Sequence, residues 1–453
     1  MRIVLVPNCG HATGANAFDM EGLDMARVPL LNENDPDLPA SARAALRHAG
    51  QARGRVLNVY RALFRGLAAL TLAALTTLGT SHAQSKEPVR IGWLSSLTGP
   101  LSSAAIAENK GVEFAVVEIN KKGGILGRPI ELLTRDTAGE PTKAVNFANQ
   151  LIHSDKVHVI MGPVNSGESL ATVGVIAKAG VPNLILGALE ALTDPVKYPR
   201  AFRMIVTNGQ WIKAANDYAV DVMKKQKIAI VGDTSGYGTA SAKQATEMLE
   251  KRGIKPVISL IIDANKADLT DEFAKMKAAG ADVIMPWSAA TSLLARMFNT
   301  RGEMQWEVPI VGHPALMALP VKPLLNKPEY WSNAFGAGYL TTTFDESGKL
   351  PERTTALMDK MRPSLGGSID FTFWWVQVGY DCVKVIEHAI TKAGSTDPSA
   401  LEKAMNETTG LVGSYTTYSW GPTKRDAFPD AELVMNVAGS FKEGSFQRAP
   451  GGK

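Results

Sequence analysis

Residues 228–238 read Ile228-Ala229-Ile230-Val231-Gly232-Asp233-Thr234-Ser235-Gly236-Tyr237-Gly238, an apolar run that breaks into a glycine-rich turn. Ala242, Ala245, Met248 and Leu249 follow at helical spacing, Gly253 stops them, and Val257 to Ile262 is apolar again. A short apolar strand, a tight turn, an amphipathic helix and a second strand make one βαβ unit with parallel strands. Outward from it, the same alternation continues. Strand-like runs stand at Val89 to Trp93, Ile130 to Leu133, Val157 to Met161 and Asn183 to Leu186 on one side. Asp282 to Met285 and Pro309 to Val311 stand on the other. Val112, Ala115, Val116 and Ile119 make one intervening helix, ended by Gly123 and Gly124; Ala144, Ala148 and Leu151 make another.

Short apolar strands between amphipathic helices predict parallel sheets covered on both faces. The pattern runs twice, and the break between Arg203 and Gly209 carries no helix-to-strand turn. The expected fold class is therefore α/β, with two Rossmann-like lobes of parallel sheet flanked by helices and joined by a multi-strand hinge. An aromatic-rich helix from about Phe371 to Ala393 and a strand region around Ala431 to Ala438 are shared between the lobes. Two open sheets facing each other leave one place for a ligand, the cleft between their strand ends.

Composition narrows the function. The 453 residues are 45% apolar and 20% charged, ordinary values for a soluble globular chain, which exclude a disordered chain, a coiled coil and a multi-span membrane protein. With 48 basic against 44 acidic residues the net charge is +4, too small an excess for a nucleic-acid binder. Cys9 and Cys382 are the two cysteines, so no disulfide framework or thiolate metal cluster is expected.

The first 85 residues are a separate matter. Arg61 and Arg65 precede an uncharged apolar run from Gly66 to Leu78, and Gly79-Thr80-Ser81-His82-Ala83 follows. A basic start, a short apolar stretch and small residues at Ser81 and Ala83 describe a secretory signal over residues 56–83, cut after Ala83. The stretch is too short for a membrane anchor; a buried helix is the plain alternative. Residues 1–55 have no sustained apolar period. They are expected to be a spurious or disordered extension, with translation starting near Arg55 to Asn58; the alternative is a genuine appendage. Removing residues 1–83 leaves a charge of +2 and Cys382 as the single cysteine.

Chemistry is hard to find in the remainder. His153, His158, His313 and His388 form no His-Glu-x-x-His pair and have no cysteine partner, so no metal and no cofactor are expected. The loop from Gly232 to Gly238 fits neither the dinucleotide nor the nucleotide-loop spacing and reads best as a tight strand-to-helix turn. Ser166, in Pro163-Val164-Asn165-Ser166-Gly167, lacks the first glycine of a nucleophile elbow, and no triad is suggested. The chain is not expected to be an enzyme. The same segment does suit binding. A strand ends at Met161, a helix from Glu168 to Lys178 follows, and a hydroxyl beside free amides at a helix start is a natural carboxylate site. Asn165 or Ser166 acting merely as an N-cap is compatible with this.

Further residues bring a family into view. Ser95-Ser96-Leu97-Thr98-Gly99-Pro100, directly after the first strand, resembles the opening of solute-binding proteins of the branched-chain amino-acid type. The likeness continues through Val116 to Ile130, Asp136, Ile160-Met161-Gly162-Pro163, Gly180-Val181-Pro182, Tyr237-Gly238 and Gly379-Tyr380-Asp381. The matches come in family order over residues 87–440. The resemblance implies the type I periplasmic-binding-protein fold, with one lobe at 87–205 plus about 340–425 and the other at about 206–339 plus 426–446. It also implies a monomeric receptor in the periplasm that delivers a small ligand to an inner-membrane ABC permease. A periplasmic ligand-sensing subunit for a signalling partner is the alternative function.

By resemblance the ligand's carboxylate goes to Ser166, with backbone support at Gly187, Ala188 and Leu189; Asn165, beside it in the loop, is a further expected contact. Tyr237, Trp287, Ser288, His313 and Trp375 are the other expected ligand contacts. The family pattern is broken in three places. Leu189 stands where many members have a hydroxyl, Gly312-His313-Pro314-Ala315 carries no acid for an α-ammonium, and the aromatic of the first loop is replaced by Ala104 or Ala105. An unpaired buried ammonium is costly, whereas Tyr237, Trp287 and Trp375 offer flat apolar area. The expected ligand is thus a small carboxylate without an amine, an aromatic or 2-oxo acid whose keto group meets His313. A branched-chain amino acid is the other candidate, with Asp233 or Glu190 serving the ammonium.

Overall fold

The computed structural model describes residues 87–99 and 102–452, with a few scattered positions between 36 and 47. The chain forms two compact units, residues 1–84 and 85–453. In the first, Ala40, Ser41, Arg43, Ala44 and Arg47 are helical. The expected signal segment 56–83, its cut after Ala83 and nearly all of the extension 1–55 lie outside the described residues.

The second unit begins β1 (Val89–Ser95), α1 (Ser102–Lys121), β2 (Ile130–Asp136), α2 (Pro141–His153) and β3 (Val159–Met161). It continues through α3 (Ser166–Lys178), β4 (Asn183–Ile185), β5 (Ala201–Arg203), α4 (Asn208–Asp217), β6 (Ile228–Asp233) and α5 (Gly236–Glu250). Next come β7 (Ile258–Ile262), α6 (Thr270–Ala278), β8 (Val283–Trp287), α7 (Thr291–Glu303), β9 (Ile310–Gly312) and β10 (Ala334–Tyr339). The chain then runs through β11 (Thr343–Phe344), α8 (Glu352–Met361), α9 (Phe373–Ala393) and α10 (Pro398–Asn406). It closes with β12 (Leu411–Val412), β13 (Thr417–Tyr418), β14 (Leu433–Val437) and β15 (Phe446–Gln447).

Two sheets organise the unit. The first has the order β2-β1-β3-β4-β5, all parallel; the second has the order β14-β10-β9-β8-β6-β7, with only β14 antiparallel. Every residue of β6 is buried, as a strand covered on both faces requires. At the sheet edge, β7 alternates instead: Ile258 and Leu260 turn inward while Ser259 and Ile261 are exposed.

Of these two sheets, two strands escaped the sequence reading. β5 is only Ala-Phe-Arg, too short to show a period. β10 contains Gly336 and Gly338, which weaken a strand signal. Neighbours approach there too closely for a side chain: an added Cβ on Gly336 would sit 2.8 Å from Met317 Cγ, and one on Gly338 2.3 Å from Asn436 Nδ2. Close approach also explains the glycine of Gly379-Tyr380-Asp381. An added Cβ on Gly379 would lie 2.0 Å from the Glu108 carbonyl oxygen, so α9 packs backbone-to-backbone on α1. Asp381 is buried and caps the β12–β13 hairpin, accepting the N–H groups of Ser414 and Tyr415 at 2.8 Å each.

The chain passes between the sheets three times: from β5 to α4, from β10 toward α9, and from β13 to β14. Three strands of connection make the hinge of two α/β lobes. The first crossing is the break foreseen near Arg203.

Candidate functional site

Between the strand ends of the two sheets lies a cavity of about 260 Å³. Its walls are largely apolar with a few converging polar groups, the usual make-up of a small-molecule site.

On the first lobe, β3 ends at Met161 and α3 starts at Ser166, two residues earlier than the sequence spacing indicated. Asn165 is the N-cap; its side chain accepts the Gly167 N–H at 2.7 Å. Among the described residues, that leaves the N–H groups of Ser166 and Glu168 without a partner, as a helix start must leave some. Ser166 Oγ accepts the Ala188 N–H at 3.0 Å, so its own hydrogen is free to donate. Asn165, Ser166 and Ala188 all line the cavity.

On the second lobe, β6 delivers Asp233 to the cavity, and Ser235 caps α5 by accepting the Gly238 N–H at 3.0 Å. Tyr237 donates from its hydroxyl to Asn208 Oδ1 at 3.0 Å. Burial drives its pKa well above the ordinary phenol value. His313, just beyond β9, lies against Tyr237 and Trp211, with ring centroids 5.2 and 4.9 Å away. Its Nδ1 accepts the Ala315 N–H at 3.0 Å, and burial lowers its pKa to about 3. The ring is neutral, with its proton on Nε2. At the mouth of α9, Trp374 and Trp375 pack with centroids 3.6 Å apart. Both line the cavity, and the Trp374 indole N–H is buried without a partner.

The structure thus brings Asn165, Ser166, Ala188, Tyr237, His313 and Trp375 to one cavity. It does not bring Gly187, Leu189, Trp287 or Ser288 there. The Gly187 and Leu189 carbonyls accept from Arg203, and the Leu189 side chain packs with Val173, Leu192 and Ala201. Trp287 is wholly buried, in the core cluster that also holds Tyr237, Ala242 and Met285, while Ala289 and Ala290 just beyond it line the cavity. Ser288 is turned to Asp233 instead of the cavity. Glu190, offered for an ammonium, is engaged elsewhere: its Oε1 accepts the Gly209 N–H at 2.7 Å and Gln244 Nε2 at 3.0 Å.

Trp211 and Trp374 are not among the expected ligand contacts, Trp374 because an aromatic on a helix reads equally as core or as pocket wall. Trp374 is both, 2% exposed yet facing the cavity. Nothing in a helical pattern separates these roles. Of the two alanines considered for the first loop, Ala104 lines the cavity and Ala105 is in the core. Among the described residues no group of acids, histidines and cysteines is placed to hold a metal, and no helix is long and apolar enough to cross a membrane.

Comparison with known proteins agrees with this architecture. The family model described as periplasmic binding protein matches residues 88–436. A Leu/Ile/Val-binding protein homologue of Brucella melitensis is 28% identical over 370 residues, covering 80% of this chain and 95% of that one. The Leu/Ile/Val-binding protein BraC3 of Rhizobium johnstonii is 27% identical over 367 residues, covering 79% and 93%. Among solved structures, a type 1 periplasmic binding protein from Bordetella pertussis superposes with a TM-score of 0.71 at 22% identity, covering 80% of this chain and all of that one. A branched-chain amino-acid transporter substrate-binding protein from Streptococcus pneumoniae, in complex with isoleucine, gives 0.66 at 21%, covering 80% and 98%. The chain belongs to the periplasmic binding protein family, as a type I member of the leucine/isoleucine/valine-binding type: a solute-binding protein, not an enzyme.

Proposed function

We propose that this chain is the periplasmic substrate-binding protein of an ABC importer whose ligand is a small carboxylate without an α-amine, an aromatic or 2-oxo acid. His313 is the observation that supports the ligand class. Its Nδ1 is taken by the Ala315 N–H, so Nε2 offers a donor that no group of the described residues accepts. A donor suits a keto or carboxylate oxygen. It opposes an ammonium, which brings only donors of its own. The Ser166 hydroxyl and the open amides of α3 suit the carboxylate, and Trp374, Trp375 and Tyr237 suit a ring or branched acyl chain.

A branched-chain amino acid is the second reading. It is favoured by the names of the relatives and by Asp233, an acid at the cavity. Titration calorimetry with phenylpyruvate, benzoylformate, leucine and valine separates the two. Leucine or valine binding about tenfold tighter than either keto acid would reverse the order.

The rest of the reading follows the family. The protein acts as a monomer on an inner-membrane permease. It is exported by the segment 56–83 and starts at Gln84 after cleavage behind Ala83. The lobes comprise residues 87–205 with about 340–425, and about 206–339 with 426–446. N-terminal sequencing of the periplasmic protein checks the cleavage; recovery of residues 1–55 there contradicts it.

A further inference from the structure

Among the described residues lining the cavity Asp233 is the one acidic side chain, and it is 2% exposed. Its carboxylate is already engaged on both oxygens. Oδ1 accepts the Ser235 N–H at 2.8 Å and the Ser235 hydroxyl; Oδ2 accepts the Ser288 hydroxyl. Neither hydroxyl is free to turn away. Ser235 Oγ accepts the Gly238 N–H at 3.0 Å and Ser288 Oγ accepts the Ala290 N–H at 3.1 Å. One lone pair of each hydroxyl is therefore held by a backbone donor, and each hydrogen is directed at Asp233.

The two oxygens are not equivalent. Oδ1 carries two donors and is crowded by Gly238, whose added Cβ would lie 2.2 Å from it. Oδ2 carries the Ser288 hydroxyl alone, so it is the one face of this carboxylate that a single substitution opens.

We propose that Ser288 sets the ligand class: by donating to Asp233 Oδ2 it withholds the cavity's carboxylate from an α-ammonium. Ser288 does not line the cavity and acts through Asp233, so it is a positioning residue. This rests on the reading that the natural ligand lacks an amine. It adds the reason why an acid present at the site does not make the protein an amino-acid receptor. Accepting three donors spreads the negative charge over the turn and the start of α5. An ammonium must then share Oδ2 with a hydroxyl that the fold holds in place.

The test pairs ligands that differ only at the 2-position, phenylpyruvate against L-phenylalanine and 4-methyl-2-oxopentanoate against L-leucine. Each is titrated into wild type, Ser288→Ala, Ser288→Cys and the double variant Ser288→Ala with Asp233→Asn, beside a melting curve. Ser288→Ala is expected to bind the amino acids about tenfold more tightly than wild type, with the keto acids changed by less than about threefold. Ser288→Cys, a weaker donor of similar size, gives a smaller gain, and the double variant loses it. Wild type that prefers keto acids, with no amino-acid gain in folded Ser288→Ala or Ser288→Cys, overturns the role of Ser288 alone. Persistence of the gain in the double variant also overturns it, since the route through Asp233 is then wrong. Tight binding of amino acids by wild type instead defeats the ligand-class reading on which the inference stands.

Discussion

Arg203 and Asp426, 223 positions apart in the chain, form a 2.7 Å ion pair where the first and third crossings of the hinge meet. The two residues also pair as an isolated parallel bridge. Arg203 is fully buried, and its guanidinium reaches further, to the carbonyls of Gly187 and Leu189 and the Thr193 hydroxyl. One side chain thus fixes the segment behind Ala188 to the connection that returns the chain to the second lobe. The Asp426 side chain is 40% exposed, so the ion pair contributes less than the carbonyls that depend on the same arginine.

Replacing Arg203 by methionine removes the donor of the buried Gly187 carbonyl and one of the two donors of the Leu189 carbonyl, which keeps the Leu192 N–H at 3.2 Å. The expected loss is about 3 kcal/mol of stability, read as a lowered denaturation midpoint. A midpoint unchanged from wild type would show that water or a neighbour replaces the guanidinium.

Glu190 bridges the lobes outside the cavity, through the Gly209 N–H and Gln244. A ligand held by both lobes gains its second set of contacts only on closing, so scattering should show a smaller radius with ligand than without. Glu190→Ala removes these two exposed contacts between the lobes, and affinity should fall only about threefold. An identical radius at saturating ligand would argue against closure altogether.

Ser166→Ala is expected to weaken ligand binding by about 1.5–3 kcal/mol, the range for a hydrogen bond to a charged group. The Ala188 N–H also loses its acceptor, so stability should drop by about 1 kcal/mol. Calorimetry beside a melting curve measures both. Full affinity in the variant would place the carboxylate elsewhere.

His313 predicts a pH dependence. Its folded pKa lies near 3, against 6.5 for a free histidine. The unfolded chain therefore takes up the proton first, and this contribution to stability is intact above about 6.5 and falls as the pH drops toward 3. At pH 5 the loss relative to pH 8 is about 2 kcal/mol. Burial raises Glu168 and Asp381, which act in the opposite sense, so the comparison is wild type against His313→Asn. Asparagine retains an acceptor for the Ala315 N–H and should lose less stability on acidification. Parallel profiles for the two proteins would refute the assignment.

Much of the fold was legible in the chain because it is written in local periods. Ile228 to Val231 and the helix spacing from Ala242 to Leu249 each bury a face that any partner surface would cover, so strand and helix follow without knowledge of the partner. The loop Met161 to Gly167 could be read as a binding turn for the same reason: a helix start has open amides wherever it is placed. Trp287 and Ser288 show where this stops. Trp287 ends β8 and Ser288 follows it, where binding residues often stand, yet one is sealed in the core and the other is turned onto Asp233.

Whether a polar group faces a ligand or is already satisfied depends on donors far away in the chain, Ser288 for Asp233 and Gly209 for Glu190. No pattern along the sequence records those meetings. The sequence alone determined two α/β lobes and the loops that meet between them. The tertiary structure alone decided which hydrogen-bonding positions in the cleft remain open, because saturation is a property of neighbours in space.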